Sequence, residues 1–438
     1  MSLTDQGMRV GLRALNRLAG LELLDRLGAR EPAEKLLHRA SRTSARTATR
    51  AGRTFAAVQR RGAAARPATA RSRGLFDITP TDEQEMLRDS FRSFAAERLR
   101  PAAADADRAS AAPEELMAQA SDLGIAMLGV PEALGGVSEE RSAVTAVLIA
   151  ETLAHGDMGL AVAALAPAAV SSALGLWGDA SQQATYLPAF VGESAPAAAL
   201  AMLEPRPLFD PKQLSTHARR ANGGFVLKGT KSLVPRGADA ELFLIAAELE
   251  GEGPALFVVE AATQGIHVEP EPAMGLRAAA TARVTLDDVN LPEGALLGEG
   301  SPEVYAECVH RGRIAWSALT VGTAQAVLDY VIPYVNERVA FGEPISNRQA
   351  VAFAVANIGI ELEGMRLATY RAASRADQGL DFARATTLAR ALCGERGMAI
   401  GSDGVQLLGG HGYVREHPVE RWYRDLRAVG LMEGALFV

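Results

Sequence analysis

Residues 404–438 read GVQLLGGHGYVREHPVERWYRDLRAVGLMEGALFV. A glycine-rich turn, Gly409-Gly410-His411-Gly412-Tyr413, is followed by a dense set of charges. One carboxylate, Glu433, then sits between Leu431-Met432 and Gly434. An acid with apolar neighbours is a candidate base, because a low-dielectric setting makes a carboxylate a stronger proton acceptor. Taken alone, the same pattern is also an ordinary helix-terminal glutamate followed by a C-cap glycine. The rest of the chain has to decide between them.

Three long helical patterns precede this stretch. Residues 313–341 carry Ala315, Leu319, Gly322, Ala326, Leu328 and Val331 at helical spacing, with Pro333 as a local perturbation. Residues 347–378 place Val351, Ala354, Val355, Ile358, Leu362 and Met365 on one face, and a third helix covers 382–408. Long helices joined by short connections imply a four-helix-type bundle. No spaced Glu/His set suggests a metal in it.

Upstream the period changes from helical to alternating. Phe225-Val226-Leu227, residues 242–246, residues 255–259, Ile266-His267-Val268 and residues 283–286 are short runs rich in β-branched or aromatic residues. Asn222-Gly223-Gly224 and Gly251-Glu252-Gly253-Pro254 bound them as turns. The expectation is an antiparallel barrel or sandwich over residues 200–298. Neither a GxGxxG after a strand nor a GxxxxGK[ST] occurs, so a Rossmann or P-loop site is not supported.

Before the strands the pattern is again helical. Pro80-Thr81 followed by Gln84 predicts a capping box, with Leu87, Phe91, Phe94, Ala95 and Leu99 behind it and Pro101 just past the helix end. A second helix is expected near 114–123 and a third over 139–155. Residues 158–177 are nearly all apolar, which predicts a helix buried on most sides. His155 and Asp157 read as loop-capping residues rather than catalytic ones.

Residues 1–75 differ from the rest. Met8 to Leu27 suggest an amphipathic helix, and Arg39, Arg42, Arg46, Arg50 and Arg53 recur at three- and four-residue steps. Twelve Lys/Arg against two acids over residues 30–73 leave the remainder of a −7 chain near −17. The basic arm suits a weak membrane-surface or acidic-partner contact, or a solvated helix. No aromatics interleave with the arginines from Arg39 to Arg53, so nucleic acid is not expected. Cys308 and Cys393 lie far apart without metal-ligand spacing, and neither a secretory signal nor a membrane span is read. Reduced cysteines predict a cytoplasmic protein.

Helical domain, β-domain, helical bundle, then a glycine turn and an isolated acid: in this order the sequence resembles the acyl-CoA dehydrogenase family. The stretches that carry the resemblance include Leu187-Pro188 with Gly192-Glu193, Glu204-Pro205, Lys228-Gly229-Thr230-Lys231 and Met274-Gly275-Leu276-Arg277. Further on come Glu337-Arg338-Val339-Ala340-Phe341-Gly342 with Gln349, Gln406-Leu407-Leu408-Gly409-Gly410 and Tyr423-Arg424-Asp425. It implies an α+β fold in four parts: a basic extension (1–75), an all-α domain (76–199), a middle β-domain (200–298) and a C-terminal helical-bundle domain (299–438).

The resemblance also implies FAD, an acyl-CoA substrate, electron-transfer flavoprotein or a similar acceptor, and a homotetramer or homodimer. Arg338, Phe341, Gln349, Gln406, Gly409 and Gly410 match residues that hold the adenine and pyrophosphate part of a neighbouring subunit's FAD. Guanidinium, aromatic ring, amide and close backbone N–H groups suit those moieties. Glu433 matches the catalytic base, and Arg313 and Gly434 match the substrate side. Departures cluster near the flavin ring and the acyl group. Leu203 and Pro235 stand where the family has threonine, and Leu208-Phe209-Asp210 replaces Gly-Ser-Asp. His310 replaces an aspartate, Ala435 replaces a threonine, and the sequence ends at Val438. Three readings stay open: α,β-dehydrogenation of an acyl-CoA, another flavin role such as oxidase or monooxygenase, and a non-catalytic assembly partner.

Overall fold

The computed structural model describes residues 79–136, 141–192 and 195–433. The basic arm of residues 1–75, Glu193, Gly434 and Ala435 to Val438 lie outside the described residues. The first described helix, α1 (Asp82–Phe94), starts on the reciprocal cap read from the sequence. Gln84 N donates to Thr81 Oγ1 at 3.2 Å and Thr81 N donates to Gln84 Oε1 at 3.0 Å. The expected stop at Pro101 does not occur. A five-residue π turn (Ala95–Leu99) leads directly into α2 (Arg100–Ala109), with Pro101 in its first turn. That is where a missing N–H breaks no intrahelical bond.

Helix α3 (Glu114–Asp122) and α4 (Ala143–Gly156) follow, then α5 (Met158–Trp177) and α6 (Ala180–Tyr186). Asp157 caps α5, accepting from Leu160 N at 3.0 Å. Every residue from Met158 to Leu174 is buried. By length and composition this helix could cross a membrane, but protein surrounds it as a core element, as its all-round apolar sequence predicted.

Eight strands form one sheet: β1 (Ala198–Ala201), β2 (His217–Ala221), β3 (Gly224–Val234), β4 (Leu242–Leu249), β5 (Gly253–Glu260), β6 (Ile266–Pro270), β7 (Ala282–Pro292) and β8 (Leu296–Leu297). The order is β6-β7-β3-β2-β4-β5-β8, with β1 on β4. Most pairs are antiparallel, as expected, but β1 and β2 both pair with β4 in parallel, which local alternation cannot reveal. Alternation along β4 splits its residues between two cores. Leu242, Leu244 and Ala246 join α5, whereas Phe243, Ile245 and Ala247 join a core made of sheet residues, where Phe225 and Phe257 meet edge to face at 5.2 Å. One face of the sheet therefore packs on helices and the other on sheet residues.

Four helices complete the chain: α7 (Pro302–Glu337), α8 (Gln349–Asp377), α9 (Ala383–Leu408) and α10 (Val419–Ala428). Helix α7 begins eleven residues before the sequence expectation. Ser301 caps it, and Tyr305, Cys308 and Val309 pack its first turns onto the core shared with the sheet. Its buried run from Ile314 to Ala324 is the central column of the bundle.

One buried ion pair ties β3 to the loop after β1. Lys231 Nζ lies 2.9 Å from Glu204 Oε1, with both side chains sealed from solvent. The Glu204 carboxylate also accepts from Ser215 N and Thr216 N at 2.7 and 2.8 Å. Burial pushes Lys231 down to about 8, against the pull of Glu204. Lys231→Met should leave the carboxylate buried without its cation and destabilise the fold by about 3–5 kcal/mol, read as a lower urea midpoint. An unchanged midpoint would contradict that arrangement.

Candidate functional site

Two places gather the residues singled out from the sequence. The first is a cleft of about 940 Å³ at one end of the bundle. Arg338, Phe341, Gln406, Gly409 and Gly410 all line it, with Arg348 and His411, although the two stretches lie some seventy residues apart. Gln349 is the first residue of α8, next to Arg348, and does not itself line the cleft.

The local backbone explains this gathering. Helix α7 ends at Glu337, earlier than expected, because Val339–Ala340 and Glu343–Pro344 pair as a two-residue hairpin. Phe341 and Gly342 at its tip have φ of 55° and 86°. Such a turn suits the strand twist and favours glycine at both places. A phenylalanine in the left-handed region is strained, and its ring stands 96 % exposed. The Arg348 guanidinium lies 5.7 Å from the ring centroid. On the other wall, α9 stops at Gly409, whose φ of 58° and ψ of −132° only glycine adopts readily. Among the described residues, nothing beyond the adjoining chain lies within 4 Å of where a Cβ would stand on Gly409 or Gly410, so this backbone faces open space. Tyr334 steadies the turn, its hydroxyl 3.3 Å from Leu408 O and 3.2 Å from His411 Nδ1.

Cations, an exposed ring and an open glycine backbone fit the diphosphate and adenine of a dinucleotide. Phe341→Gly should relieve turn strain by up to about 1 kcal/mol, while weakening FAD binding roughly tenfold through lost stacking. Titration of the FAD-free protein with FAD, beside thermal melting, checks both effects.

The second place surrounds Glu433, just after α10, and does not line that cleft. The expected setting of apolar neighbours is not what the structure shows. Arg313 on α7 grips the carboxylate from two sides. Its Nε lies 2.9 Å from Oε2 and its Nη2 lies 2.7 Å from Oε1. Arg390 on α9 adds a second guanidinium, its Nη2 donating to Met432 O at 2.6 Å and lying 3.8 Å from Glu433 Oε1. Glu433 is 8 % exposed, so its charge is held by arginines rather than by water. Burial works against the Arg313 cation, but the hydrogen bonds and charge of Glu433 outweigh it and hold the group above its usual range. Burial and then the neighbouring Arg313 act against Arg390, which is held below its usual range. His310, one helical turn before Arg313, is pushed down by burial and by the charges of Arg313 and Lys212.

Sequence reasoning missed Arg390. The available signal was an arginine beside Ala389 and Cys393 on the buried face of α9. It also missed Arg348, although a cation directly before Gln349 was visible.

A third cluster anchors the segment leading to Glu433. Arg421 Nε lies 2.9 Å from Asp157 Oδ2, and Arg424 makes two 2.9 Å contacts with Asp107. Asp425 Oδ1 accepts from Leu276 N at 2.6 Å. Gly275 lets the chain come this close, since a Cβ there would meet Arg424 O at 2.4 Å. The loop-capping role read for Asp157 holds, with the Arg421 pair added. His155 instead pairs through Nε2 with Asp329 Oδ2 at 2.9 Å.

Near β1 and β3 the departures are visible as geometry. Leu203 is buried among apolar side chains, and Leu208 has φ of 52° and is almost fully exposed. Ser232, the hydroxyl on this part of β3, donates to Glu271 Oε2 at 2.9 Å, and Leu233 N donates to the same oxygen at 2.7 Å.

Comparison with known proteins agrees with these features. Models for the acyl-CoA dehydrogenase N-terminal, middle and C-terminal domains match residues 81–194, 199–289 and 302–436. The short-chain specific acyl-CoA dehydrogenase of Mus musculus mitochondria is 31% identical over 365 residues, covering 81% of this chain and 87% of that protein. Among solved structures, butyryl-CoA dehydrogenase from Megasphaera elsdenii has a TM-score of 0.76 at 26% identity, covering 82% of this chain and 96% of that one. The FAD complex of PigA has a TM-score of 0.74 at 25% identity, covering 82% and 96%.

Proposed function

Because the chain belongs to the acyl-CoA dehydrogenase family, whose members are FAD-dependent oxidoreductases acting on CH–CH groups, we propose that it removes two hydrogens across the α,β bond of an acyl-CoA, with Glu433 as base. The observation that supports this most is the pairing of Glu433 with Arg313, 120 residues earlier in the chain. It holds the carboxyl group of Glu433 in a nearly dry position at the end of an anchored segment. When bound, FAD supplies the acceptor for the β-hydride.

The chain's own residues do the rest. Phe341, Arg338, Arg348 and the backbone of Gly409 and Gly410 hold the adenosine diphosphate half, with Gln406 and Gln349 at its polar edges. Glu433 takes the α-proton at a carboxylate oxygen, and Arg313 orients that carboxylate. Leu203 and Pro235 bring no hydroxyl to the ring, so fixed donors there are fewer. The open cleft and the apolar residues Phe353, Ile360 and Leu367, exposed at seven-residue steps on α8, suit a homo-oligomer in which a second copy completes the cofactor site. The division near residues 199 and 298 belongs to the same reading.

Purified protein should carry flavin absorbance that bleaches on anaerobic addition of acyl-CoA. Flavin that stays oxidised would contradict dehydrogenation and favour another flavin role, and a flavin-free protein would favour an assembly partner.

A further inference from the structure

Two buried polar atoms near Glu433, Arg390 Nη1 and His310 Nδ1, have no hydrogen-bond partner among the described residues. Arg390 is a committed part of the interior, its side chain 12 % exposed, and only its Nη2 is used, on Met432 O. A guanidinium buried with an idle N–H beside a second guanidinium is short of acceptor oxygen. Burying a cation in this way is tolerated when an anion completes the set.

The reaction proposed above sharpens the shortage. Among the described residues, Glu433 is the ion-pair partner of both Arg313 and Arg390. Asp210 and Asp381 act on this group only from a distance. Once Glu433 has taken the α-proton it is neutral, and two buried guanidiniums lose their close anion at the same step. A thioester carbonyl is a neutral acceptor and does not restore that charge. A carboxylate on the acyl chain does, and the free Nη1 of Arg390 is a donor of the right kind to receive it.

Resting on the dehydrogenation reading, we infer that the substrate is an acyl-CoA whose acyl chain carries its own carboxylate, a monothioester of a dicarboxylic acid, and that Arg390 is the residue that selects it. Arg313 then remains with Glu433 while Arg390 receives the substrate's acid group.

The test uses the FAD-loaded protein and two matched pairs, hexanoyl-CoA against adipoyl-CoA and octanoyl-CoA against suberoyl-CoA. The half-saturating concentration for anaerobic flavin bleaching is measured for each. The carboxylated member of at least one pair should saturate at a concentration about tenfold lower or less, as for one added charge-assisted contact. Arg390→Gln should collapse that ratio toward one, and Arg390→Lys should keep part of it. Equal half-saturation within both pairs, or a ratio intact in Arg390→Gln, overturns the inference. Bleaching without a carboxylate preference leaves the dehydrogenase reading standing and removes only this one. No bleaching by any of the four removes both. The comparison within the unaltered protein stands even where a variant fails to fold.

Discussion

Glu433→Gln should leave FAD bound and slow acyl-CoA-dependent bleaching by about a thousandfold, the usual scale for losing a positioned base. The amide has the shape of the acid but cannot take a proton. Its oxygen can still accept from Arg313, so the segment after α10 keeps one of its anchors. The cofactor cleft is lined by other residues, from Tyr334 to Glu416, and the substitution does not touch it. Loss of bleaching together with loss of flavin would point to a structural role for Glu433, and retained turnover would remove it as the base.

Asp425→Asn should raise stability above neutral pH by about 3 kcal/mol, while bringing little gain below about pH 4. Asp425 is buried on α10 near Asp157 at the cap of α5, Arg421 and Arg424 on its own helix, and Leu276 N from the turn before β7, while Asp107 on α2 pairs with Arg424. Burial, and then the Asp157 charge, push its carboxyl up to about 7, against the Leu276 N–H and the two arginines. Asp157 is also raised by burial, although Arg421 opposes this. The sign follows from proton counting. Between about pH 4 and pH 7 the folded chain keeps a proton on Asp425 that the unfolded chain has released, so this group's contribution to stability falls as pH rises. An asparagine still accepts from Leu276 N, and Arg421 and Arg424 keep their own partners, Asp157 and Asp107. Urea unfolding at pH 5 and pH 8 should show a flatter profile in the variant. Equal pH dependence in both proteins would mean Asp425 is ionised in the fold throughout.

Features that depend on local order were legible in the sequence. The Thr81–Gln84 cap, the all-round apolar helix α5 and the long helices of the bundle follow from spacing and from residues that end or start helices. The residues proposed to hold FAD were named through family resemblance, and the fold brings five of the six to one cleft, where a strained hairpin tip and a glycine helix end meet. What spacing cannot show is which distant side chains meet. The parallel pairing of β1 and β2 with β4 is of this kind, and so is the grip of Arg313 and Arg390 on Glu433. Reading apolar neighbours in sequence as an apolar environment in space was the error there. Leu431 is in fact mostly exposed, and the groups that touch the carboxylate come from two other helices. The continuous helical path through Pro101 was hidden because a π turn absorbs what a regular helix would not.

Single-turnover chemistry tests the central claim most directly. The FAD-loaded protein, mixed without oxygen with a stoichiometric acyl-CoA and analysed by mass spectrometry, should return a 2-enoyl thioester two hydrogens lighter than the substrate. The Glu433→Gln protein should return the substrate unchanged. Unchanged substrate from the unaltered protein, or enoyl product from Glu433→Gln at the parent's rate, would contradict the account.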